Sequence, residues 1–427
     1  ADVLTPNKFE AEALLGRTLT TPQQVEEGAR ELLDKCGVPA ILLKGGHSLA
    51  ETNPQILLLD QDGGDSGCVD VDVDVNATMG YAQDYFLSRD VREEERLCDG
   101  GVWLRSDRYD SENTHGTGCT LSSAMASALA LGHEAQENSL SSTGATIAMT
   151  PIDAACLAKA YVATGIARGV QLGKGPGPVV HTGFPSTDRH FPTIVLDPTS
   201  QKPVAFRPMH AASSTQPVED SVCLGKILPI VETVDWVERL ARVEGVTDIQ
   251  LRIKDTSNIE EIRQRVEQAQ ATCTKVGVRL WINDYWEAAV AAKCFGVHVG
   301  QEDLAKCFKA NGLEVLQKEG LALGISTHSF AELSAALGIR PSYISLGPVF
   351  GTTSKNVAFD PQGLKTVRKW RQLIPPGIPL VAIGGINNAE IAEEVKKAGA
   401  ECVAVIGAIT KSDDVPTAVA NLNHAMD

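Results

Sequence analysis

The sequence predicts an α/β protein of two modules in series, the second a (β/α)8 TIM barrel and the first part of an open α/β sheet. Three observations carry this. Between residues 226 and 409, eight short apolar or β-branched runs alternate with segments of helical period. Upstream of them, residues 183–221 hold recurrent prolines and no sustained period of 2 or 3.6, which marks a connection. Earlier still, a glycine-rich loop leads into an apolar helix pattern at 112–132. The expected domains are residues 1–184, a linker at 185–221 and the barrel at 222–427.

Composition narrows function. A chain of 427 residues with 43% hydrophobic and 22% charged content can fill two or three cores. Its net charge of -16 argues against nucleic acid or an anionic membrane as a general partner, since both want concentrated Lys and Arg. No run of about 18 apolar residues is present to span a bilayer. The ten cysteines include no C-x-x-C pair, so neither a zinc site nor a disulfide framework is expected, and a reducing compartment follows. Small-molecule substrates are the expected partners. The opening ADVLTPN, with Ala in place of Met, reads as the middle of a strand and suggests a trimmed or incomplete gene product.

The eight strand candidates are 226–232, 248–254, 279–284, 296–301, 322–327, 343–350, 379–386 and 402–409. Catalytic groups of such barrels sit at the carboxyl ends of strands. Gln250, Arg252 and Lys254 share one face of the second strand by period 2. The third ends in Asn283 and Asp284, the fourth runs into Gln301 and Asp303, the fifth ends at Ser326, and the sixth leads to Thr352, Ser354 and Lys355. The last two end in Gly384-Gly385 and Gly407, where barrels commonly hold a phosphate on backbone N–H groups. Any one of these has a plain structural reading, Asp as a helix cap or Lys as a solvated end; six strand ends converging on acid, amide, base and glycine predict a phosphate-handling site. Asp284 and Asp303 could share one Mg²⁺, with Arg252 and Lys254 facing the same polyphosphate. Such a site lets pyrophosphate depart while the glycine wall holds a second, monophosphorylated reactant. No pair of nucleophile and base is visible, and His298 reads as an inward barrel-layer residue rather than a general base.

The runs QLRIK, IND, GVHVGQED, GISTH, LGPVF with TTSK, AIGGI and VIGAI resemble, in order and position, thiamine-phosphate synthase (thiamine-phosphate pyrophosphorylase) over essentially all of 222–427. The resemblance implies that Mg²⁺-bound pyrophosphate leaves 4-amino-5-hydroxymethyl-2-methylpyrimidine diphosphate and that the nitrogen of a thiazole phosphate captures the pyrimidine cation. It implies Gln250, Arg252, Lys254 and Asn283 on the pyrimidine diphosphate and Asp284 and Asp303 as metal ligands. Ser326 and Lys355 would contact the departing pyrophosphate, Lys254 and Lys355 serving as the catalytic lysines. Thr352 and Ser354 would face the thiazole, and Gly385, Ile406 and Gly407 would cradle its phosphate. The family often has Thr in place of Ser354 and Ser in place of Gly407, so contacts to the thiazole are lost here.

In the first module, Gly116, Thr117 and Gly118 precede the apolar helix pattern, which either aims free N–H groups and a positive helix end at an anion or caps a structural helix. KGGH at 44–47, TPNKFEAEALLG at 5–16 and GKGPGPVVH at 173–181 complete a resemblance to the C-terminal portion of hydroxymethylpyrimidine phosphate kinase, of the ribokinase-like superfamily. It implies an ATP-dependent kinase with THGTGC as the anion hole and Cys119 in the position of the catalytic base. Lys44 would contact nucleotide phosphates, with Asn7 and Glu10 near Mg²⁺ and phosphate. A helix start can lower a thiol's pKa enough for that role; a buried, inert cysteine is the alternative. The family's first half would precede Ala1, so the module is expected to be incomplete and a poor or inactive kinase. The Val/Asp alternation at 68–76 predicts an edge strand rather than a calcium site at Asp70, Asp72 and Asp74, and 91–100 reads as a solvated excursion.

The whole reads as a fused enzyme of thiamine biosynthesis, because the kinase family's product is the synthase family's substrate. Two other readings stay open: a noncatalytic first module used for docking or oligomerisation, and a barrel that senses phosphate without turnover. A homo-oligomer is compatible with the sequence. The expected compartment is the cytoplasm, or a plastid if a transit peptide precedes residue 1.

Overall fold

Strands apolar on both faces suit a parallel sheet covered on both sides, and the C-terminal part of the chain builds one. The computed structural model describes residues 2–45, 78–89, 101–139, 149–196, 198–199, 205–211, 221–351 and 360–427. The edge strand read at 68–76 with its three aspartates, and the excursion at 91–100, lie outside the described residues.

In the first module, β1 (Val3–Leu4), β2 (Ala40–Lys44), β3 (Thr78–Ser88), β4 (Val102–Tyr109) and β5 (Thr193–Val195) form one sheet in that order. β1 and β2 are parallel and the later pairs antiparallel. Helices α1 (Lys8–Leu15) and α2 (Pro22–Cys36) cover one face around Leu32, Ile41, Tyr85 and Trp103. On the other face lie α3 (Thr117–Ser139) and α4 (Pro151–Ala167), over Leu42, Phe86 and Leu104. Capping boxes set where α1 and α2 begin, and Gly16 and Gly37 end them in the left-handed conformation.

The barrel closes through β8 (Ile227–Val231), β9 (Asp248–Leu251), β10 (Arg279–Asn283), β11 (Gly296–Val299), β12 (Ala322–Thr327), β13 (Tyr343–Leu346), β14 (Leu380–Ile383) and β15 (Cys402–Val405), all parallel. These are the eight runs that the sequence predicted, and the (β/α)8 fold is as expected. Its interior is packed rather than hollow. Trp281 and Tyr343 are fully buried there, edge to face with ring centroids 5.0 Å apart. Room comes from glycine: a Cβ on Gly296 would stand 2.6 Å from the Trp281 ring, and one on Gly324 only 2.2 Å from Tyr343. Two short strands of a parallel ribbon, β6 (Met209–Ala211) and β7 (Val222–Leu224), bring Met209 and Leu224 against the base of that interior.

The stretch read as a connection thus supplies β5 to the first sheet and β6 to the barrel's base. The modules also share a core. α4 is buried on nearly every face, and so is the barrel helix Phe330–Ile339, which packs against both α4 and β5. A helix apolar all round needs cover on all sides, and each supplies it to the other. Gly338 shows how close the approach is, since a Cβ there would stand 1.9 Å from the Ile194 carbonyl oxygen.

Candidate active site

β10 ends at Asn283, and the chain turns at Asp284 with φ of 68°. That left-handed conformation is strained for residues with a Cβ, though Asp and Asn tolerate it best. Glycine would turn there without strain, so the side chain is what the position keeps. Asp284 Oδ2 lies 3.4 Å from Lys254 Nζ and accepts from Asn283 Nδ2. Asn283 Oδ1 accepts in turn from Gln250 Nε2 at 2.9 Å, so two buried amides orient the carboxylate. Burial raises the Asp284 pKa above the ordinary 3.8, the Asp303 charge raises it further, and Lys254 and Arg252 pull it back. Asp303 itself stands in the first turn of the helix Gln301–Lys309, bonded to Lys306 at 3.0 Å.

The charge of Asp303 works against that of Asp284, and a divalent cation set between them would relieve it. Among the described residues, no group of three or more His, Cys, Asp or Glu is placed to hold a metal. A cation here would take these two carboxylates and complete its shell with water and phosphate oxygens, the habit of Mg²⁺. The donor set fits that ion.

The basic residues arrive differently from the sequence reading. β9 stops at Leu251, so only Gln250 lies in the strand and faces the interior. Arg252 and Lys254 project from the loop after it, Arg252 partly buried 3.7 Å from Glu232 and Lys254 exposed. Loop placement leaves Lys254 open to a ligand, with Arg252 more enclosed. Ser326 stands next to last in β12, and its Oγ lies 2.8 Å from His298 Nε2 while its carbonyl accepts from Gln301 Nε2 at 2.6 Å. His298 is the inward layer residue expected, stacked on Tyr343 and within 2.8 Å of its hydroxyl.

On the opposite wall Gly384 and Gly385 have φ of 100° and 69°. A Cβ on either would stand 2.6 Å from Pro348 or Phe350, so only glycine fits where the two loops meet. Ile406 and Gly407 open the short helix Gly407–Thr410 after β15. Thr352, Ser354 and Lys355 lie outside the described residues.

In the first module Lys44 ends β2, and its Nζ would stand 3.4 Å from a Cβ on Gly118, at the start of α3. Gly116 takes a φ of 83° just before that helix, beside Thr117 in its first turn. Cys119 is exposed on the same turn, so the buried alternative does not hold. Asn7 bridges to Lys44 through the backbone, but its side chain and that of Glu10 are committed to each other's backbone N–H in the α1 capping box.

Sequence reasoning missed two buried polar clusters. Asp248, at the barrel base, accepts from Arg279 and Trp281. In the first module Asp84 accepts from Lys159 at 2.6 Å and from the Gly45 N–H at 3.0 Å, tying β3 to α4 and to the turn after Lys44. A lysine in a helix that is mostly apolar beyond its first turn was the available signal for the second.

Residues 223–409 match the family model described as thiamine monophosphate synthase, and residues 1–80 and 88–180 the model described as phosphomethylpyrimidine kinase. A thiamine-phosphate synthase of Citrobacter koseri is 43% identical over 196 residues, 46% of this chain and 89% of that protein. Another, of Rhizobium etli, is 43% identical over 185 residues, 43% of this chain and 87% of that protein. Among solved structures, a thiamine phosphate pyrophosphorylase from Pyrococcus furiosus aligns at 28% identity over 47% of this chain and 95% of its own, with a TM-score of 0.40. A pyridoxal kinase from Staphylococcus aureus aligns at 26% identity over 42% of this chain and 47% of its own, with a TM-score of 0.27. Among the described residues no helix is long and apolar enough to cross a membrane.

Proposed function

The chain belongs to the thiamine-phosphate synthase family and carries a phosphomethylpyrimidine kinase module ahead of the barrel, so it serves thiamine biosynthesis, and we propose that its barrel mouth joins the two substrates through a paired-carboxylate site. The observation that carries this is Asp284, strained, oriented by two amides and repelled by Asp303, with Lys254 and Arg252 beside it. Mg²⁺ bound there would neutralise the charge that builds on a departing pyrophosphate. Arg252 and Lys254 hold the diphosphate of the pyrimidine substrate, Lys254 moving with it from its contact to Asp284. Ser326 and Lys355 contact the same diphosphate as it departs. Gln250 and Asn283 orient the pyrimidine, and their amide–amide bond keeps the Asn283 amide aimed at Asp284. Thr352 and Ser354 face the thiazole, and Gly385, Ile406 and Gly407 offer backbone N–H groups to its phosphate. The bond from the methylene carbon on the pyrimidine to the pyrophosphate oxygen breaks, pyrophosphate leaves with that electron pair, and the thiazole nitrogen's lone pair forms the new C–N bond.

For the kinase module we propose ATP as phosphate donor, with Lys44 on the nucleotide phosphates, the Gly116 to Gly118 turn as the anion hole and Cys119 as the base. Incubating the chain with pyrimidine diphosphate, thiazole phosphate and Mg²⁺ tests the synthase reading. Thiamine phosphate and pyrophosphate should appear in equal amounts and cease on chelation. Pyrophosphate without thiamine phosphate, or tight binding with neither product, would refute it.

A further inference from the structure

Asp153 is fully buried where the two modules meet, and its hydrogen-bond partners are N–H groups and hydroxyls. One oxygen, Oδ2, accepts from Thr150 N at 3.1 Å and Thr150 Oγ at 2.5 Å, closing the capping box of α4. The other, Oδ1, accepts at 2.8 Å from the N–H of Ala331, in the first turn of the barrel helix Phe330–Ile339. One carboxylate therefore caps two helices, one in each module. Burial raises the pKa of Asp153, and the hydrogen bonds from Thr150 and Ala331 pull it back. A carboxyl group bonded to two helix starts fills a role that an apolar side chain could not.

That role follows from what the second helix is attached to. Ser326 is the next-to-last residue of β12, and only Thr327 and His328 separate it from Ser329, the residue that caps the helix. Each step is held in place: Thr327 Oγ donates to Ser345 O at 2.9 Å, Trp370 Nε1 donates to Thr327 Oγ at 2.8 Å, and the His328 N–H donates to Glu332 at 2.6 Å. Asp153 fixes the outer end of this short run. Without it the Ala331 N–H loses its partner, and the first helical turn must re-seat to find another.

We propose that Asp153 is a positioning residue for the synthase reaction, through which the kinase-like module holds the β12 end, and with it Ser326, in register for the substrate diphosphate. The inference rests on the barrel-mouth reading above. Because Ser326 belongs to the pyrophosphate side and the glycine wall to the thiazole side, the effect is selective for one substrate.

The test is steady-state kinetics on the whole chain carrying Asp153→Ala, Asp153→Asn or Thr150→Ala, with melting temperatures alongside. Asp153→Ala should raise KM for the pyrimidine diphosphate about fivefold while KM for the thiazole phosphate stays within about twofold. Asp153→Asn keeps one acceptor for two helix ends and should raise the same KM to an intermediate degree. Thr150→Ala removes the α4 cap and the hydroxyl donor to Asp153 Oδ2 but leaves Oδ1 to accept from Ala331, so it should lower the melting temperature and leave both KM values unchanged. If Asp153→Ala folds and neither KM moves, or if both rise together, or if Thr150→Ala matches it, the proposal is overturned. Should Asp153→Ala fail to fold, Asp153→Asn decides alone, a wild-type diphosphate KM counting against the proposal. An inactive wild-type chain would instead overturn the barrel-mouth reading.

Discussion

Replacing Asp284 with Asn should make the protein more stable and nearly inactive. Asn accepts the left-handed turn at φ of 68° as readily as Asp, so the backbone is undisturbed. The contact given up with Lys254, whose side chain is 45% exposed, is worth at most about 0.5–1 kcal/mol. What is relieved is the burial of a charge beside Asp303, and the raised pKa of Asp284 means that relief exceeds the loss. A net gain of about 1 kcal/mol is expected, the usual scale for removing functional strain, which is about 2–4 °C in melting temperature for a domain of this size. The sign with pH follows from the same shift. Folded Asp284 holds its proton more tightly than the unfolded chain does, so the wild type loses stability relative to the variant as pH rises from 3.8 through the folded pKa. Below 3.8 both carry a neutral group and the gap closes. With one carboxylate gone, kcat/KM should fall by at least about 100-fold. Thermal melts at pH 5 and 7.5, with and without Mg²⁺ and pyrophosphate, are the assay: the ligands should raise the wild-type melting temperature and leave the variant's unchanged. A variant less stable than wild type without ligands, or equally stabilised by them, would refute the reasoning.

Other expectations are simpler. Lys159→Ala strands the buried Asp84 carboxylate and should cost about 3–5 kcal/mol by denaturant unfolding, whereas Lys159→Met with Asp84→Leu should recover most of it. A double variant no better than the single one would contradict that account. Gly338→Ala must push the Phe330–Ile339 helix off the Ile194 carbonyl and should cost about 1–3 kcal/mol; an unchanged melting temperature would show that the modules do not meet there. Where kinase activity is measurable, Cys119→Ala should remove it and leave condensation intact, and loss of both would count against separate sites.

The barrel was legible because each of its strands is a short apolar run bounded by a helical pattern, and because polar residues gather at carboxyl ends. Asp284 could be singled out for the same reason, though not its left-handed backbone, which depends on where β10 stops. Arg252 and Lys254 fit a period of 2 that the strand does not continue to obey; a rim loop takes over after Leu251. Asn7 and Glu10 illustrate a real ambiguity, since N-x-x-E serves equally as a phosphate element and as a capping box, and their side chains make the box. β5 was out of reach at three residues among prolines. The docking of the modules did leave a trace in FAELSAALGI, apolar around the whole helix where a lone barrel would expose one side to water.

The most direct test of the paired-carboxylate site is to grow crystals with Mn²⁺ in place of Mg²⁺ and with pyrophosphate, and to locate the metal by its anomalous scattering. The account predicts one Mn²⁺ within about 2.0–2.2 Å of an oxygen from each of Asp284 and Asp303, bridging to pyrophosphate that Arg252 and Lys254 also touch. A metal bound to only one of these carboxylates, or to neither, would contradict it.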